Sequence, residues 1–200
     1  MSDRGEQPYH HGNLREALVE AGLELTREGG AKALAMRDLT RRLGVSPNAA
    51  YRHFADRDAL LAAIAARIHA GMADRMREAA PTAATPQDLL KAVGLGYIGF
   101  ALAEPGWFDV AFARIDTAPD AAAAELLPPP LMMLVTALDA LVETGELDAT
   151  ARPGAEWPCW SAVHGFAVLA LHGPLRFLPA DEVRSAAART IDDVIRGLTA

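Results

Sequence analysis

Cysteine is almost absent. Cys159 stands alone, so no disulfide can form within the chain, and a reduced compartment with one core thiol is the plain reading. A redox role for that thiol is the open alternative. Long apolar runs are missing as well. The longest, Ala92 to Ala103, spans twelve residues, short of the ~18 that a membrane-crossing helix needs. The opening residues Met1 to Gly12 are polar and carry no apolar core of a signal peptide. Together these absences point to a cytoplasmic protein without a membrane partner. β-Branched residues are few, and no stretch alternates apolar with polar residues, which argues against sheet.

Enzyme signatures are missing too. The chain has no glycine-rich phosphate loop, no Cys-x-x-Cys and no His-Glu-x-x-His. Cys159 and His164 are five apart on one expected helix and point roughly 140° apart, a poor nucleophile–base pair. No catalytic, metal-binding or cofactor-binding residues are expected. An enzyme built on the C-terminal part is the weakest of the readings considered.

What the chain has is alanine and other apolar residues, 51% hydrophobic in all. Alanine is the best helix former, so the expected fold class is all-α with a large core. The net charge of −7 is unevenly placed. Residues 1–78 carry 12 basic and 11 acidic residues, whereas residues 79–200 carry 7 and 15. Between Arg37 and His53 stand Arg37, Arg41, Arg42 and Arg52 against Asp38 alone. Charges act over about 8 Å at physiological salt, so a local basic cluster matters more than the total. A small nucleic-acid module joined to an acidic body fits this pattern.

Capping and periodicity predict the helices. Asn13, with Glu16 three residues on, opens the first, and Leu14, Leu18, Ala21 and Leu25 form its stripe up to Gly29-Gly30. A second runs from Met36 to Leu43 and ends at Gly44. Ser46 caps a third, with Pro47 in its first turn, extending to about Phe54. Asp56 caps a fourth that continues to about Ala79. Further helices are expected at Gln87–Leu102, Pro105–Ile115, Ala121–Leu127, Leu131–Thr144, Glu156–His172 and Ala180–Leu198, with proline or glycine at each junction.

The segment from Arg37 to Phe54 is helix, glycine turn, helix, the helix-turn-helix pattern. Leu39, Leu43, Val45, Ala50 and Phe54 are positioned to lock the two helices together. That leaves Ser46, Pro47, Asn48 and Ala49 at the start of the second helix, where this motif reads base edges. Asn48 offers both a donor and an acceptor. Tyr51, Arg52 and His53 follow one turn on, where phosphates would run.

From about Leu14 to Ile68 the chain resembles the DNA-binding domain of the TetR family of bacterial regulators. The matching blocks are Met36-Arg37-Asp38-Leu39, Gly44-Val45-Ser46, Ala50-Tyr51-Arg52-His53-Phe54 and Arg57-Asp58-Ala59-Leu60-Leu61. The resemblance implies DNA contacts at Arg37, base reading by Ser46, Pro47, Asn48 and Ala49, and phosphate binding by Tyr51, Arg52, His53 and Arg57. Ala35 departs from the pattern, standing where the family often has Thr or Ser, so a cap and its phosphate contact are missing. Trp160-Ser161-Ala162-Val163-His164-Gly165, with Tyr9-His10-His11-Gly12-Asn13-Leu14, is similar to one subgroup of the family's C-terminal domains. Tyr9, His10 and His11 are a tail that touches the DNA backbone in this reading.

The resemblance implies a helix-turn-helix domain over 1–58 and a helical regulatory and dimerisation domain over 59–200. It implies a homodimer on a palindromic operator, released by an unidentified small-molecule effector. Candidate effector contacts are Phe100, Trp107, Phe108, Phe112, Met133, Trp160 and His164, each of which core packing alone would also explain. The stripes Val163, Ala167, Leu171 and Val183, Ala187, Ile191, Val194, Leu198 either close a bundle within the chain or, as the family implies, form a four-helix dimer seam. The contrasting function is a helical ligand-binding or protein-interaction module that does not bind DNA.

Overall fold

A computed structural model of the chain describes residues 14–80, 83–113 and 127–199. The described residues form α-helices with two short 3-10 turns and no strands. The helices are α1 (Leu14–Gly29), α2 (Met36–Arg42), α3 (Pro47–Tyr51), α4 (Arg57–Glu78), α5 (Pro86–Ala103), α6 (Pro105–Ala111), α7 (Pro129–Glu143), α8 (Glu156–Leu171) and α9 (Ala180–Leu198). The 3-10 turns are Gly30–Ala33 and Pro174–Phe177. The expected helix at Ala121–Leu127, the Asn13 cap, and Tyr9, His10 and His11 lie outside the described residues, wholly or nearly so.

Local chemistry accounts for the boundaries. The Ser46 hydroxyl accepts from the Ala49 amide at 3.3 Å and Pro47 fills the first position of α3. Asp56 accepts from the Ala59 amide at 2.7 Å and opens α4. No side chain caps α2 at Ala35, as the sequence implies. Gly44 holds φ of 67°, a left-handed turn that lets the Val45 amide reach back to the Thr40 carbonyl at 3.0 Å. α3 stops at Tyr51 rather than near Phe54, because Phe54 turns into the core and Asp56 must be extended to cap the next helix. α7 begins two residues before the expected Leu131, since a first turn tolerates proline and Pro129 and Pro130 both sit there. α6 ends at Ala111, with Phe112 already off the helical backbone, rather than reaching Ile115.

One continuous core runs the length of the molecule, from Leu18, Leu39, Ala50 and Phe54 through Ile64, Met72 and Met76 to Leu138, Ala167 and Ile191. α4 is its spine. It packs against α1, α5, α6 and α7. α5 is central in the larger part, touching α4, α7, α8 and α9. α6 lies against the last turns of α1, where the Trp107 indole donates to the Leu23 carbonyl at 2.9 Å and Arg27 pairs with Glu104 at 2.5 Å.

The stripes on the last two helices close a bundle within the chain. Of the expected positions, Val183, Ala187 and Ile191 of α9 and Ala167 of α8 are buried, while Val163, Leu171, Val194 and Leu198 are half-buried; Ile195, one residue past Val194, is buried as well, and α9 packs on α5 and α8. Apolar side chains left exposed include Trp157, Val168 and Leu169 of α8, Phe177 and Leu178 just after it, and Met132 of α7. Among the described residues no helix is long and apolar enough to cross a membrane.

Candidate functional site

The helix-turn-helix places its residues as the locking argument requires. Leu39, Ala50 and Phe54 are buried, with Leu43 and Val45 half-buried beside them. Ser46, Pro47, Asn48, Tyr51, Arg52 and His53 all point to solvent on α3 and the turn after it, and Ala49 is half-buried. Among the described residues nothing covers the outward face of α3, and Tyr51 is half exposed.

Ion pairing sorts the arginines of this region. Arg41 pairs with Asp38 at 2.9 Å and Arg42 with Glu24 at 2.8 Å. Arg67 straps α4 to α1 through Glu16 and Glu20, at 2.5 and 2.8 Å. Arg57 is turned inward: its guanidinium donates to the Leu34 carbonyl at 2.9 Å and to the Ala31 carbonyl. It clasps the turn before α2 rather than pointing wholly outward. Arg37 and Arg52 have no acidic partner among the described residues. Neither does Arg15, which the sequence reading left out. It is exposed at the first turn of α1, with its guanidinium carbon 5.0 Å from the centre of the Phe54 ring. Its place so near the motif is set by tertiary packing alone.

The seven candidate effector contacts separate. Phe108, Phe112, Trp160 and His164 gather around Tyr97 of α5. Ring centres lie 6.0, 6.2, 5.1 and 6.4 Å from that of Tyr97, and its hydroxyl meets His164 Nδ1 at 2.9 Å. Trp107 turns away, because successive helical residues point about 100° apart; its indole is spent on the Leu23 carbonyl and its ring lies under Arg27. Phe100 joins Trp107 along a separate groove beside Ile68 and Gly71. Met133 packs half-buried on the core and is not in the cavity wall described next.

That cavity lies between α4, α5, α7, α8 and α9. Met76, Tyr97, Leu134, Trp160, Val163 and Ile191 are among its walls, and Trp160 is the one expected effector residue that reaches it among the described lining. The cleft is narrow and contains about 440 Å³ of unfilled space including its mouth. Tyr97 was missed in the sequence. The available signal was a phenol inside the longest apolar run, which needs a partner once buried. Cys159 also lines the cavity, and burial pushes its thiol up to about 11. It stays protonated at neutral pH, which makes it a weak nucleophile.

Burial holds His164 and His69 below the ordinary histidine value of 6.5. His69, on α4, faces the Ala111 carbonyl, and its Nε2 has no partner among the described residues. Both histidines are neutral in the fold and protonate more readily once unfolded. Stability is therefore complete above about pH 6.5 and is lost as pH falls below it. The melting temperature should hold steady from pH 8 to 7 and drop between pH 6.5 and 5. A His69→Asn, His164→Asn double variant should melt lower throughout but with a flatter slope in that window; an unchanged slope would remove the assignment.

A second surface completes the picture. Trp157, Ser161, Gly165, Val168 and His172 fall on one face of α8, with Leu169 beside them. Trp157, Val168 and Leu169 are 57, 38 and 46% exposed. Phe177 and Leu178, after the turn that follows α8, are exposed too. A side-chain carbon added to Gly165 would meet nothing within 4 Å. The described residues give no steric reason for glycine there, where alanine would hold the helix better by about 1 kcal/mol.

Two family models match the chain. One, described as bacterial regulatory proteins of the tetR family, matches residues 18–64. The other, described as a tetracyclin repressor-like C-terminal domain, matches residues 90–194. An uncharacterized HTH-type transcriptional regulator of Bacillus subtilis (strain 168), YobS, is 24% identical over 158 residues, 79% of each chain. A solved structure of a Rhodococcus sp. RHA1 protein of unknown function is 28% identical, with a TM-score of 0.78 covering 98% of this chain and 100% of that one. The regulator FadR from Bacillus subtilis, solved with stearoyl-CoA, shares the fold at 14% identity, with a TM-score of 0.70 over 91% of this chain and 98% of that one.

Proposed function

The chain belongs to the TetR family of bacterial regulatory proteins, and from that premise we propose that it is a cytoplasmic repressor released from a palindromic operator by a small molecule. It is a ligand-responsive DNA-binding regulator. In this reading residues 1–58 bind DNA and residues 59–200 dimerise and take the effector. The observation that carries the DNA side is the solvent-facing surface of Ser46, Pro47, Asn48, Tyr51, Arg52 and His53 on α3 and its flanks, beside the guanidiniums of Arg37 and Arg52, which have no acidic partner among the described residues.

Asn48 reads a base edge, with Ser46, Pro47 and Ala49 small enough to let the helix lie deep in the major groove. Arg37, Tyr51, Arg52 and His53 meet phosphates. Arg15 joins them, its guanidinium held over the Phe54 ring. Arg57 acts differently: its bonds to Leu34 and Ala31 tie the start of α4 to the segment before α2, so that α4 and the motif move together. The outer face of α8 pairs two copies, with Gly165 and Ser161 admitting close approach.

The effector enters the cavity beside Trp160 and Tyr97. Met76 of α4 lines that cavity, and Arg57 begins the same helix. Nineteen residues separate them, roughly 28 Å along a helix. A ligand that displaces Met76 tilts this lever and alters the spacing of the two α3 helices. DNA affinity then falls by a coupling energy of about 1–3 kcal/mol.

Binding to the chain's own promoter region over a salt series tests the DNA side. Arg52→Ala and Arg15→Ala should each weaken binding to all sequences and reduce the salt slope by about one. Asn48→Ala should cost about 1–3 kcal/mol on the preferred site and relax its preference. If none of the three changes affinity or slope, the DNA surface is assigned to the wrong residues.

A further inference from the structure

The cavity beside Trp160 carries information about what fills it. Its described lining is hydrocarbon from five helices, including Met76, Leu90, Leu134, Val163 and Ile191. No Asp, Glu, Lys, Arg or His stands among the described lining residues. The hydroxyl of Tyr97 is already joined to His164 at 2.9 Å, and Cys159 offers only a weak donor. The charges nearest Cys159 satisfy one another: Arg152 reaches Asp139 at 2.7 Å and Glu156 at 2.9 Å. A charged group brought into this space would lose its hydration and find no counter-ion in the described wall.

Resting on the reading of this cavity as the effector site, we infer that its ligand is uncharged and mostly hydrocarbon, slender or flat enough for a narrow cleft. Recognition is by shape and burial of apolar surface, not by ion pairing. The thiol of Cys159 serves as part of the wall, and burial keeps it from ionising.

A matched pair of fluorescent probes tests this. N-phenyl-1-naphthylamine is neutral, and 1-anilinonaphthalene-8-sulfonate is the same skeleton with one negative charge. Each is titrated into the full-length protein. The neutral probe should bind once per chain, and the sulfonate at least tenfold more weakly at the same site, as judged by displacement. Ala162→Phe, which narrows the cleft, should weaken the neutral probe at least tenfold. Ile191→Ala, which widens it, should bind that probe as well as the parent or better.

Equal or tighter binding of the sulfonate at the displaceable site overturns the inference. So does a neutral probe that ignores Ala162→Phe in a variant that still melts cooperatively, or that fails to bind at all. Operator affinity is measured separately with and without the neutral probe. If the probe binds as expected and operator affinity never changes, the cavity chemistry stands and the effector reading fails.

Discussion

Val168→Arg is expected to turn the protein into a monomer and to weaken operator binding by two orders of magnitude or more. Val168 lies in the last turn of α8 and is 38% exposed, outside the buried core, so an arginine there can reach solvent. Across a two-fold seam the substitution appears twice, placing like charges in an apolar contact from both sides. The cost to DNA binding comes from lost bivalency. Two linked recognition helices bind with an avidity roughly 10²–10⁴ above that of one, and that gain needs no change in α3. Light scattering gives the mass, and a melting curve shows whether the protomer still folds. A dimer of unchanged operator affinity in the variant would move the seam off α8.

Gly106→Ala should lower stability by about 3 kcal/mol, a fall in melting temperature of roughly 6–12 °C for a chain of this size. A methyl group at Gly106 would lie 2.7 Å from the Thr26 carbonyl oxygen and would be driven into that of Arg27. These are backbone atoms in the last turn of α1, and they cannot rotate aside as a side-chain tip can. α6 would have to lift from α1, straining the Trp107 bond to Leu23 and the Arg27–Glu104 pair. Gly99→Ala supplies the comparison, since a methyl group there meets nothing within 4 Å. It should be neutral or stabilising by up to about 1 kcal/mol, because alanine is the better helix former. If the two variants melted alike, α6 would not be docked on α1 as described.

The DNA-binding half was more legible than the effector half, and the reason is physical. A helix-turn-helix is specified by signals a few residues apart. Ser46 caps, Gly44 turns left-handed, and Leu39, Ala50 and Phe54 are buried on either side of a four-residue turn. Such contacts can be read along the chain. The cavity is assembled from Met76, Tyr97, Leu134, Trp160 and Ile191, which span more than a hundred residues and five helices. Aromatic residues in the C-terminal part were an expected lining, but whether each faces cavity, core or α1 depends on helix rotation. Trp107 and Phe108 are neighbours in sequence and serve different partners for that reason.

The apolar stripe of α9 carries the same lesson. Val183, Ala187 and Ile191 repeat at helical spacing, and such spacing says only that a face will be buried. It does not say against what. Likewise, every arginine between Arg37 and Arg57 is basic on paper; which of them remain available to DNA depends on whether Glu24, Asp38 or a backbone carbonyl lies within reach.

By itself, then, the amino-acid order determined the helices, their caps and the outward-facing recognition segment, because those depend on interactions within a turn or two of chain. Only the tertiary structure decided where the cavity lies, which face of α8 stays exposed, that Arg57 grips the carbonyls of Ala31 and Leu34 and that Arg15 stands beside Phe54. Those outcomes turn on how rigid cylinders rotate and cross when they close a single core, and no short stretch of sequence encodes that geometry.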